Sequence, residues 1–177
     1  MTTTPTPAPD ADVQDFADMS AALTGFLSSV LKPKLDPVGL ARTYYEFALT
    51  QVGPLAMSAL LDAFRLIKTQ PPQTIADKLL ETKPDPTKTP SPQALIAQSI
   101  VAMWYLGAWY IPGVTSDNGF PPTPLQVISS EAYTNGLVWK VMQSHPMGFS
   151  PFTFGYWSQT PGPLSSFGVD TSNGGGK

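Results

Sequence analysis

The stretch Ser91–Pro112, SPQALIAQSIVAMWYLGAWYIP, decides the fold class. Ser91 followed by Pro92 is a helix start. The serine hydroxyl can accept from free backbone N–H groups, and proline fits the first turn, where its missing donor is not needed. From Gln93 onward, Leu95, Ile96, Ile100, Met103, Trp104, Gly107 and Ala108 follow the 3,4 spacing of a helix. Gln93, Gln98 and Ser99 are the polar residues ahead of Trp104. The pattern predicts a helix buried nearly all round, ending before Pro112-Gly113.

Working outward, the same period returns wherever proline thins out. Phe16, Met19, Leu23, Phe26/Leu27 and Val30 predict a helix over about Asp12 to Leu31. Asp36-Pro37 is a second cap-plus-proline start, followed by Leu40, Tyr44, Phe47 and Ala48 on one face. Gly53-Pro54 should kink or split that window before Leu55, Leu60, Phe64 and Ile67 resume it to about Lys68. Ile75 to Leu80 allows a short helical turn, and Ser130 to Ser144 a helix with Tyr133, Leu137/Val138 and Val141/Met142 facing in. The expected fold is all-α: a compact bundle of four to six helices with a long irregular C-terminal arm rich in aromatics, Pro and Gly.

Proline divides the rest. Residues 1–11 read as a flexible Pro/Thr leader, 12–146 as the helical domain, 147–170 as an irregular aromatic arm lying on the domain or on a partner, and 171–177 as a flexible tail. The chain of 177 residues is 42% hydrophobic and only 13% charged, which argues against general disorder and allows a sizeable core. A net charge of −3 gives no footprint for nucleic acid or an anionic membrane. No apolar run reaches the roughly 18–20 residues of a membrane span. Met1 to Asp15 has neither Lys nor Arg and no apolar core, so the chain as read carries no secretory or twin-arginine signal.

Chemistry-bearing residues are sparse. Cys is absent, which removes disulfides, thiolate metal sites and a Cys nucleophile. His145 is the one histidine, and its place before Pro146 is explained as well by a cation at a helix C-terminus as by catalysis. Glu46 and Glu131 have no second carboxylate at i+3 or i+4, and Glu81 has Asp85 at i+4 only across Pro84, which breaks a helix there, so no acid/base pair has a scaffold. Glu131 and His145 are 14 residues apart on a helix and its exit, about 21 Å by helical rise, too far to act together. Gly174-Gly175-Gly176 has no strand before it or helix after it and is no phosphate loop. The residues point away from an enzyme, from a metal site and from a cofactor bound by this chain.

Aromatics are the informative class. Trp104, Tyr105, Trp109 and Tyr110 fall on the helix quoted above, and each neighbouring pair must point to two faces. One ring of each pair can enter the core, leaving the other for a surface that something else covers. Phe152, Phe154, Tyr156 and Trp157 follow in chain without regular period, which cannot build a core of its own. Large aromatics at a surface are common anchors of protein interfaces. Trp104, Tyr105, Trp109, Phe152, Phe154, Tyr156 and Trp157 are therefore the candidate partner-interface residues, with core packing the competing reading for the helix rings.

Five landmarks in order carry a family resemblance: F-x-x-M-S-x-x-L-T-G (Phe16 to Gly25), L-A-R-x-Y-Y (Leu40 to Tyr45), I-V-A-M-W-Y-L-G (Ile100 to Gly107), Y-T-N-G-L-V-W (Tyr133 to Trp139) and G-Y-W-S-Q-T-P (Gly155 to Pro161). The chain resembles the small subunit of bacterial membrane-bound FAD-dependent sugar and polyol dehydrogenases of the sorbitol, fructose and glucose type. The resemblance implies a helical, non-catalytic accessory subunit that binds no cofactor itself. It implies a large FAD-containing partner subunit of the glucose-methanol-choline type, matured or stabilised by this chain, a cytochrome c subunit in the same complex, and a periplasmic location. Three features depart from the family's pattern. The twin-arginine leader is missing, no Cys precedes Gly155-Tyr156-Trp157, and Thr160 stands where Lys is usual before the last Pro. Association would accordingly be non-covalent. The alternative is a free-standing helical interaction protein whose arm only closes its own core.

Overall fold

The structure, a computed structural model, describes residues 9–83, 89–114, 126–144, 160 and 162–170. The described residues form an all-α fold. Its main elements are α1 (Asp10–Thr24), α3 (Leu40–Val52), α4 (Pro54–Ile67), α5 (Pro72–Leu79) and α6 (Pro92–Leu106). Shorter turns are α2 (Ser28–Leu31), α7 (Ser130–Thr134), α8 (Leu137–Val141) and a 3-10 turn at Leu164–Phe167.

The α6 helix sits at the centre, against α1, α3, α4, α5, α7 and α8. Its start works as the dipeptide predicts: Ser91 Oγ accepts from Ala94 N at 3.1 Å, with Pro92 in the first turn. Ala94, Ile96, Ala97, Ile100, Met103 and Trp104 are buried, so a helix with few polar residues has found apolar neighbours on most sides. Phe16 and Met19 of α1, Tyr44 of α3 and Met57, Leu60 and Leu61 of α4 complete the same core.

Electrostatics fasten α1 to α4. Arg65 reaches Asp12 at 2.6 Å, Asp15 at 2.7 Å and Asp62 at 2.9 Å, the first two from a helix 50 residues away. Scattered basic residues in the sequence thus include one with a defined structural task.

Several helical windows end sooner than their period suggests. The first stops at Thr24: Gly25 takes a left-handed conformation at φ 77° and its N–H caps Ala21 O. Phe26 then pairs with Val169, Leu27 N donates to Gly168 O, and Asp170 N donates to Gly25 O. Backbone groups that would have continued the helix bond instead to the returning C-terminal segment. In the second window Asp36 Oδ1 accepts from Gly39 N at 2.7 Å, but the helix proper opens three residues later than the Asp-Pro signal, at Leu40. The window from Ser130 is two turns rather than one helix, divided at Asn135-Gly136 because α6 leaves no room there: a Cβ on Gly136 would lie 2.7 Å from Tyr105 O. Leu137 is buried as expected, whereas Val141 and Met142 are exposed.

The quoted stretch also ends early. Gly107 closes α6 in the left-handed region, and Ala108–Trp109 form a two-residue strand, β1, paired antiparallel with β2 (Gln126–Val127). Trp109 and Tyr110 therefore do not lie on the helix. No helix among the described residues is long and apolar enough to cross a membrane.

Candidate functional site

Trp104 and Trp109 both belong to the core, which corrects their assignment to a partner interface. Trp104 is 1% exposed, edge-on to Tyr44 with centroids 4.7 Å apart and stacked on Phe16 at 6.4 Å. Trp109 is 3% exposed and meets Phe47 edge-on at 6.1 Å, because the strand after Gly107 turns its ring back under α3. Tyr105 is half-buried: its ring meets Phe26, and its hydroxyl donates to Thr24 O at 3.0 Å, satisfying a carbonyl at the end of α1. Phe152, Phe154, Tyr156 and Trp157 lie outside the described residues, as does His145. The helical distance between Glu131 and His145 no longer applies, since the helix between them is broken at Gly136.

The two ends of the aromatic segment are held together. Gln143 follows α8 with φ 51°, a left-handed conformation that costs a non-glycine residue roughly 1–2 kcal/mol. Its side-chain Nε2 donates to Gly162 O at 2.8 Å, and its N–H bonds back to Lys140 O. This cross-link sets Gln143 and Gly162 beside each other. Residues 168–170 then dock along Gly25–Leu27, where a Cβ on Gly168 would come within 2.3 Å of Val30. Beside this hydrogen bond, where α8 approaches the 3-10 turn, Val141 (41% exposed), Met142 (64%) and Leu164 (41%) form an apolar corner. The sequence offered no local sign of this closure, because Gln143 and Gly162 are not neighbours in the chain.

A cleft of about 570 Å³ runs between α1, α2 and the α4–α5 turn. Many of its polar side chains are engaged in the fold itself. Asp18 accepts from Gln14 and Ser28, Lys68 lies 3.8 Å from Asp15, and Gln70 accepts from Lys78. Among the described residues no group of three or more His, Asp or Glu could hold a metal ion.

Burial pushes the Tyr44 phenol far above its ordinary pKa, and raises Tyr45 and Tyr105 for the same leading reason, with Asp12 adding to Tyr45. A phenol that stays neutral in the fold but ionises in the unfolded chain near pH ~10 contributes stability below that pH. The contribution is lost as pH rises from ~10 toward the folded value. Stability should therefore fall by about 1.4 kcal/mol per pH unit for each such phenol. Urea unfolding of Tyr44→Phe at a series of pH values should show a fall shallower by one proton's worth above pH ~10, and the wild-type slope below it.

The described residues define a small all-α domain. Comparison with protein-family models, with curated proteins and with solved structures gives no match to this chain.

Proposed function

We propose that this chain is a non-catalytic small subunit that binds, stabilises and helps mature an FAD-dependent sugar or alcohol dehydrogenase of the glucose-methanol-choline type. The observation that carries the reading is the exposed apolar group Val141, Met142 and Leu164 beside the Gln143–Gly162 hydrogen bond, on either side of the aromatic stretch 145–159 in the sequence. Holding Gln143 and Gly162 together lowers the conformational entropy lost when rings between them in the chain are immobilised in an interface. The ordered landmarks from Phe16 to Pro161 supply the class of partner. Phe152, Phe154, Tyr156 and Trp157 are the contacts, FAD resides in the partner, and a cytochrome c subunit and a periplasmic location go with the same reading.

The second reading, a free-standing helical protein, draws on a specific observation too: residues 168–170 already close the domain at Gly25–Leu27. Cutting the chain at Ser150 would remove that closure and confound the two readings. The test is therefore co-expression with a large FAD-dependent dehydrogenase subunit of the glucose-methanol-choline type, comparing wild type with a Phe152, Phe154, Tyr156 and Trp157→Ala variant. Flavin absorbance should co-purify with wild type and be lost with the variant. A flavoprotein that fails to co-purify with wild type, or is retained by the variant, contradicts the proposal.

A further inference from the structure

Asn135-Gly136, the joint between α7 and α8, carries a reaction of its own. In an Asn-Gly pair the glycine nitrogen can attack the asparagine side-chain carbonyl carbon, Cγ. The new N–Cγ bond closes a five-membered succinimide, and the side-chain nitrogen leaves as ammonia. Water then opens the ring at one carbonyl or the other, leaving aspartate or isoaspartate. Glycine favours the step because it has no Cβ to hinder ring closure.

Asn135 is exposed to solvent, yet the fold withholds both reacting groups. Gly136 is buried, and its N–H, the nucleophile, donates to Tyr133 O at 3.2 Å. The electrophile is held too, since Asn135 Nδ2 donates to Glu131 O at 2.9 Å. Between them the Asn135 backbone has ψ 5°, which turns the Gly136 nitrogen away from Cβ, whereas the ring requires the two to be eclipsed. Trp139 tightens the joint. Its Nε1–H donates to the same Tyr133 O at 2.8 Å, and its ring meets Tyr133 edge-on at 5.5 Å. Tyr105 O of α6 closes the other side, 2.7 Å from where a Gly136 Cβ would stand. Turning ψ into the reactive range therefore requires α7 and α8 to come away from α6.

We propose that Asn135-Gly136 is a latent deamidation site, shut by the fold and opened when α7 and α8 leave α6, so that the reaction makes such an opening permanent. Isoaspartate adds a methylene to the main chain where Gly136 has no room beside Tyr105 O. Aspartate exchanges the Nδ2 donor for a carboxylate beside Glu131 O, four residues from the Glu131 side chain, a repulsive spacing on a helix. Either product opposes the return of the joint. The site does not depend on the dehydrogenase reading.

The full chain, held at neutral pH in buffer and in concentrated urea, tests this by peptide mapping with mass spectrometry at Asn135. A site that reacts only through opening is slowed by the fraction of molecules open. Deamidation in buffer should be at least about tenfold slower than in urea. Trp139→Phe, which removes one hydrogen bond to Tyr133 O, should raise the rate in buffer severalfold and leave the rate in urea unchanged. Asn135→Asp, which is the aspartate product by itself, should unfold at a lower urea midpoint than wild type. Equal rates in buffer and urea, a rate in buffer indifferent to Trp139→Phe, or an Asn135→Asp midpoint equal to that of wild type overturns the proposal.

Discussion

Trp104→Ala is expected to destabilise the domain by about 3–5 kcal/mol, the usual cost of truncating a buried aromatic. The ring is 1% exposed and joins three helices through Phe16, Tyr44 and its own place on α6. Aromatic pairs of this kind add about 0.5–1.5 kcal/mol beyond the area they bury. With total stability for a domain on the order of 5–15 kcal/mol, the loss takes a large share of it. Trp104→Phe should be much milder. It keeps most of the apolar volume and removes an indole N–H that is buried without a partner, whose desolvation costs about 1–3 kcal/mol. Urea midpoints of the two variants test the assignment. Equal losses would mean that the indole nitrogen contributes more than its ring.

Gly107→Ala is the second large effect, and its mechanism is backbone rather than core. The residue ends α6 at φ 65°, where an L side chain costs about 1–2 kcal/mol. A Cβ there would also lie 2.5 Å from the carbonyl carbon and oxygen of Ala132 and 2.6 Å from Tyr133 N. These are main-chain atoms and cannot swing aside, so the start of α7 must move. A loss of more than about 3 kcal/mol is expected from strain and overlap together. Gly25→Ala is the control. Its φ is 77°, yet a Cβ there meets nothing within 4 Å, so it should cost only the conformational part, about 1–2 kcal/mol. Similar losses at both positions would show that the α6–α7 approach is looser than described.

The helices were legible in the sequence where a local signal sets them. Ser91-Pro92 caps α6 as its chemistry requires, and Gly53-Pro54 separates α3 from α4. The class follows from these and from the 3,4 apolar spacing. Hidden from the sequence were breaks imposed from a distance. The helical period runs through Gly25 to Val30, but residues 168–170 take the backbone partners there. The period also passes Gly107, where packing against Ala132 and pairing with Val127 turn the chain into a strand. That turn moved Trp109 from an outward helical face to the core. The neighbour argument for Trp104 and Tyr105 did identify two faces: Trp104 is fully buried, and Tyr105 is half-buried with its hydroxyl on Thr24 O.

The central claim is that the loop rings serve a partner and not the chain's own core, and unfolding of the isolated protein tests it most directly. Among the described residues the core joins α1, α3, α4 and α6 through Phe16, Tyr44, Leu60 and Trp104. Urea unfolding of the Phe152, Phe154, Tyr156 and Trp157→Ala variant, without partner, should give a stability within about 1 kcal/mol of wild type, as surface changes do. A loss of several kcal/mol, the sum expected for buried aromatics, would show that the loop closes its own core and would contradict the account.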